Sequence, residues 1–235
     1  MSEVTGYTPK DFIEEHIPYR LELLDTYCTA ILLSMFKQVP GMRIGSEFIV
    51  PTNYGLVVSP VTQLFNLALE SGLITFRLLM EFIGIKADKD ATELVIAKPR
   101  KDDFHISKIC DVKGVALLPV DLPTLKKLKD IKCSLFGIRT ELSVSAKFVE
   151  MHHQANKAAA HLVERERSYH SLNNYFACLA LRSLIIVLVY ERLKKEKILE
   201  NRGVWSNTML HPDVFTKHTR ASGEMDKLIR EQFGV

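Results

Sequence analysis

The chain has 235 residues, 47% of them apolar and 25% charged. That is the mix of a globular protein able to bury a sizeable core, not of a disordered chain. A net charge of +3 is too slight to imply nucleic-acid binding and does not exclude it.

The first helix should open at "TPKD", with Thr8 as cap, Pro9 in the first helical position and Asp11 three residues after the cap. Pro18 should kink or restart it before it runs on to about Gln38. "VPGMRIGSEFIVPTNYG" then reads as loop with a short strand over "EFIV". Ser59 and Pro60 open a second helix that reaches Gly84, apolar over nearly all its circumference and therefore expected to be central and buried. From Lys86 to Leu122 the pattern dissolves, and this stretch is expected to be an irregular, mobile insertion. A small hairpin of "ELVIA" with "GVALLPV" is the strand pairing it offers. A short helix "LPTLKKLKDI" follows, then a long one from about Thr140 to His170, then a core helix from about Leu172 to Glu200. The tail from about 201 to 235 carries a last amphipathic turn or two.

Four widely spaced cysteines without a C-x-x-C pair, and a polar start without the form of a signal peptide, point to a reducing cytoplasm. The most apolar run, Tyr175 to Tyr190, carries Arg182 near its middle and reads as a buried core helix, so no membrane is expected. Four long helices with apolar stripes predict a mainly α protein, an antiparallel helical bundle in one domain over 1–235. The irregular insertion, about 86–122, sits at one end.

The long helix holds half of the eight histidines in "HHQANKAAAHLVERERSYH". Its core stripe runs through Phe148, Met151, Ala155, Ala158, Ala159 and Leu162, and the alanines allow close approach of the second helix. His152 and Asn156 sit just off that stripe, one turn apart, where a partner helix can reach them. Lys157, His161, Arg165 and Ser168 form a second row. A metal is not expected: Glu150-x-x-His153 is a single copy of a spacing that di-iron bundles use twice, and no H-E-x-x-H occurs. No nucleotide-binding glycine loop and no G-x-S-x-G occurs, so no cofactor is implied.

The second helix carries Gln63, Asn66, Glu70, Arg77 and Glu81 on one stripe. Buried charge needs partners or a wet cleft, so the stripe is either a register-fixing ion-pair network or the wall of a site. As a site it would bring Glu70 and Arg77 to Asn156, His161 and Arg165. That set offers an imidazole, two guanidiniums suited to phosphate, and a carboxylate to orient them.

The segments "ALESGLITFRLLMEFIG" and "ANKAAAHLVERER" resemble the HEPN (higher eukaryotes and prokaryotes nucleotide-binding) helical proteins and allied uncharacterised bacterial proteins. The resemblance implies a helical bundle, often a homodimer, that binds RNA or a nucleotide. Many such proteins are metal-independent ribonucleases with an R-x(4–6)-H motif and others are inactive binding modules; that spacing is present here as Arg165-x4-His170 and Arg100-x4-His105. The expected catalytic set is then His161, Arg165, Arg77 and Glu70, with Asn156, Lys157 and His170 binding. A binding or regulatory module is the first expectation, a toxin- or defence-type endoribonuclease the second. A self-associating bundle without a ligand site is the third.

Overall fold

The structure, a computed structural model, describes residues 8–35, 47–52, 55–99, 103–160, 171–200 and 212–234. It is mainly helical. The chain begins with a single turn, α1 (Pro9–Asp11), a π-helical segment Phe12–His16, and α2 (Ile17–Met35). Thr8 and Asp11 form the reciprocal cap: the Thr8 N–H donates to Asp11 Oδ2 at 2.8 Å and the Asp11 N–H to Thr8 Oγ1 at 3.3 Å.

Pro18 does not break this helix; the π segment absorbs it. The Ile17 N–H bonds to Phe12 O, one residue further back than in an α-helix, and Pro18 has no N–H to offer. The Ile13 carbonyl is thereby orphaned, and the buried Tyr190 hydroxyl donates to it at 2.8 Å.

A hairpin of β1 (Glu47–Thr52) and β2 (Gly55–Pro60) precedes α3 (Val61–Phe82). Pro60 thus ends a strand and does not sit inside the helix. α2 and α3 pack together, and Gly72 permits the closeness of their crossing: a Cβ there would lie 2.4 Å from both Cβ and Cγ of the fully buried Tyr27. The stem of a side chain cannot rotate away, so Gly72→Ala must push the helices apart. We expect a net destabilisation of about 2 kcal/mol in urea unfolding, overpacking outweighing a helix-propensity gain of roughly 1 kcal/mol. A variant as stable as the wild type would show that the crossing can relax.

α3 is not buried all round. Leu73, Phe76, Leu79 and Met80 are, but Ile74 and Leu78 are more than a third exposed.

The 86–122 stretch departs most from expectation. Its strand partner is not "GVALLPV": β3 (Ile85–Ala87) pairs with β4 (Leu94–Ile96). Its many aspartates build turns, Asp88 accepting from the Thr92 and Glu93 N–H groups and Asp111 from those of Lys113 and Val115. Leu94, Ile106, Ile109, Leu117 and Val120 are buried in the common core. The stretch is thus built into the core, and its apolar residues leave no pattern in the sequence because they follow turn geometry, not a helical or strand period. The segment is pinned to the end of α3 by Ala97 N–H to Gly84 O, 2.9 Å, and Val120 N–H to Ile83 O, 3.0 Å. Gly84 adopts φ +87, and a Cβ there would meet Pro119 at 2.6 Å, so only glycine fits that junction.

After α4 (Leu122–Lys126), capped by Asp121, a third hairpin joins β5 (Ile131–Leu135) to β6 (Ile138–Leu142). The long helix therefore starts later than expected, as α5 (Val144–Ala160). α3 and α5 pack side by side, and Ala155 is fully buried. The expected continuation of that helix, with Ala158 and Ala159 at the contact, lies outside the described side chains.

Ser171 caps α6 (Leu172–Ile185), which continues as a second π segment, Ile186–Glu191. Leu172–Glu191 is, among the described residues, the one stretch long and apolar enough to cross a membrane, and most of it is buried inside the protein. Arg182 within it faces Asp25 at 3.6 Å. After the short α7 (Lys197–Glu200), the tail forms a 22-residue helix, α8 (Pro212–Phe233), instead of a turn or two. Ala221, Met225 and Ile229 of α8 are buried at i, i+4 and i+8, and α8 packs on α6. The result is a mainly helical fold of more helices than the four-helix plan, with three two-stranded hairpins among the described residues.

Candidate functional site

The α3–α5 contact brings two one-turn pairs face to face: Arg77 and Glu81 on α3, His152 and Asn156 on α5. Arg77 Nη1 donates to Asn156 Oδ1 at 2.8 Å, and Arg77 Nε lies 3.2 Å from Glu81 Oε1. Asn156 Nδ2 is 3.4 Å from His152 Nδ1, and His152 Nε2 is 3.5 Å from Glu81 Oε1. The four side chains close a ring. Because the Asn156 oxygen accepts from Arg77, its NH2 donates to His152 Nδ1, which places the imidazole proton on Nε2, facing Glu81. That last contact is too long for a strong hydrogen bond, so its pull on Glu81 is mainly electrostatic. The His152 N–H lowers the Glu81 carboxyl below the usual range, partial burial opposes this, and the Arg77 charge adds to the lowering.

Beside this ring lies a cleft of about 500 Å³. α3 supplies Arg77, Leu78 and Glu81 to it; Phe12 and Arg20 come from the N-terminal helix. Lys86, Lys98 and His105 come from the segment expected to be an irregular insertion. Four cationic side chains thus meet two acidic ones, Glu81 and Asp103. No family model, curated protein or solved structure matches the chain.

Arg77 and Asn156, expected in one site from the sequence, are bonded to each other. Glu70 is exposed, and the carboxylate that reaches Arg77 is Glu81, one turn along the same stripe. Lys157 is exposed one residue past the ring. His161, Arg165 and His170 lie outside the described residues. The ring histidine is His152, buried at 5% exposure, and it does not line the cleft. Its signal was in the sequence, since it stands one turn before Asn156.

Arg20, Lys86, Lys98 and His105 carried no such signal. Arg20 stands on α2, Lys86 on β3, and Lys98 and His105 in the irregular chain after β4, so no shared period along the sequence links them. Among the described residues no group of three His, Cys, Asp or Glu is placed to hold a metal.

The arrangement is suited to holding an anion. Arg77 donates Nη1 to Asn156 and faces Glu81 with Nε as an ion pair without a hydrogen bond, which orients the guanidinium and leaves Nη2 for a ligand. Arg20 donates Nη1 to the His16 carbonyl at 3.2 Å, and Lys86 and Lys98 stand at the cleft outside any ion pair among the described residues.

Proposed function

We propose that this protein is a binding module whose cleft takes a phosphate-bearing ligand, RNA or a nucleotide. The observation that carries the reading is the braced Arg77, facing a cleft shared with three further cations. A cation held in place loses little entropy on binding, and a planar guanidinium matches phosphate.

The HEPN resemblance points the same way and adds the proposal of a homodimer. A metal-independent ribonuclease would need a histidine at the phosphate. Among the described residues His105 is the histidine lining the cleft, and its Nδ1 is already engaged by Ser107, which favours binding over cleavage. A purely structural bundle would leave the Arg77 stripe dry and fully paired, with no cleft beside it.

Titration calorimetry with adenosine monophosphate and with decauridylate, at about 50 and 200 mM salt, tests the reading. At least one should bind, more weakly at the higher salt. Arg77→Ala should cost about ten-fold or more in affinity, the scale of a charged hydrogen bond. Lys113→Ala, on the exposed 111–116 loop, should change nothing. Equal loss from both variants would mean nonspecific adsorption, and no binding of either ligand would overturn the reading.

A further inference from the structure

We propose that the occupant of this cleft is a single small phosphomonoester with an apolar, ring-sized body, and that the buried His105 ring gives its phosphate one neutral donor. This rests on the phosphate reading above and carries it to size and chemistry.

A volume of about 500 Å³ lies within the roughly 300–1,000 Å³ of small-molecule sites. A polynucleotide needs a charged groove that tracks several nucleotides. Here the cations line one half-open cleft of limited volume, not an extended groove.

The walls divide by chemistry. Phe12 and Phe104 stack with centroids 3.7 Å apart and planes 11° off parallel, and Phe82 continues the stack at 5.9 Å and 5°. Together with Ile17 and Leu78 they offer an apolar flank for a flat body. Arg77, Lys86, Lys98 and Arg20 supply the charge. A phosphomonoester carries about −1.5 to −2 charges near pH 7, against one for each backbone phosphodiester, so it balances the excess of cations over Glu81 and Asp103 better.

His105 makes this more specific than a basic pocket. Its residue is 4% exposed. The Ser107 backbone N–H donates to His105 Nδ1 at 3.2 Å, and Ser107 Oγ is 2.7 Å from the same nitrogen. A backbone N–H can only donate, so Nδ1 is the acceptor and the proton sits on Nε2. That Nε2–H is buried with no acceptor. Burial, with Lys108 adding to it, lowers the pKa of the imidazole and keeps it neutral. The ring lines the cleft while its Nε2 sits beside the Gly84–Pro119 junction, so a small shift of the ring edge toward the cleft gives this unsatisfied donor a phosphate oxygen as acceptor.

Titration calorimetry of the full chain with phenyl phosphate, inorganic phosphate, benzoate and decauridylate tests this. Phenyl phosphate should bind one per chain, about ten-fold or more tighter than each of the others. His105→Phe keeps the ring and removes the donor, and should weaken phenyl phosphate about five-fold or more. On the wild type, the His105 Nε2–H resonance in imidazole ¹⁵N–¹H spectra should shift when phenyl phosphate is added, a readout that does not depend on the variant folding. An unmoved resonance with ligand bound overturns the role of His105. Benzoate binding as well as phenyl phosphate overturns the phosphomonoester. Decauridylate binding ten-fold tighter than phenyl phosphate overturns the size inference and leaves the phosphate reading standing. No binding by any probe at millimolar concentration overturns both.

Discussion

Phe148→Ala is expected to destabilise the protein by about 4 kcal/mol, within the roughly 3–5 kcal/mol of buried Phe→Ala changes. Phe148 is fully buried on α5 and meets Phe76 of α3 edge to face, with centroids 5.2 Å apart and planes at 88°. Truncation removes the apolar area, the edge-to-face attraction and the partner atoms of Phe76 together. Two intact helices bracket the vacated space and limit its collapse. Phe148 stands one turn before His152, so the same change loosens the contact that carries the Arg77 ring, and ligand affinity should fall with stability. Urea unfolding should show a lower midpoint at unchanged slope. A loss below about 1 kcal/mol would mean that α3 and α5 can repack without this pair.

Acidification should cost roughly 3 kcal/mol through one histidine. His218 on α8 shares a hydrogen bond with the Tyr175 hydroxyl through Nδ1, 2.9 Å away, at the α6–α8 contact. Burial pushes its pKa down from 6.5 to about 4, and the Arg182 charge adds to the effect. The charged form is therefore disfavoured in the folded protein, while the unfolded chain takes the proton near 6.5. The stabilisation is complete above about pH 6.5 and is lost as pH falls toward 4, with about 2 kcal/mol gone by pH 5.

Asp25, close to Arg182, acts in the opposite sense. Its carboxyl is raised by burial against the pull of Arg182, so its protonation recovers some stability in acid. A third of that side chain is exposed, which limits the compensation. The lowered carboxyls, Glu81 among them, add their own losses at still lower pH. Urea unfolding at pH 7.5, 6 and 5 measures the slope, and His218→Phe should flatten it. Equal pH dependence in wild type and variant would assign the slope to other groups.

Much of the local architecture could be read directly from residues. Thr8 with Asp11 and Ser171 mark helix starts because a cap needs only a side-chain oxygen and a neighbouring N–H. Arg77 and Asn156 could be paired because both sat on faces where a polar group must find a partner. The "FG" between two alternating runs at 131–142 was also legible in principle: Phe136 and Gly137 both take positive φ, +54° and +80°, the demand of a two-residue hairpin turn. It was obscured by helical patterns on either side.

Other features have no one-dimensional trace. α8 holds Gly223 and the polar "TKHTR", and its length comes from docking Ala221, Met225 and Ile229 on α6. That gain exceeds what propensity predicts. The π segment needed Tyr190, 177 residues away, to satisfy the carbonyl that Pro18 orphans.

Caps, amphipathic faces and the buried apolar helix were determined by the sequence itself, since each depends on residues within a turn or two of one another. The cleft was settled by tertiary structure alone. Its cations come from α2, α3, β3 and the chain just after β4, and only packing of those elements sets which charges meet, because electrostatic partnership depends on distance in space and not on separation along the chain.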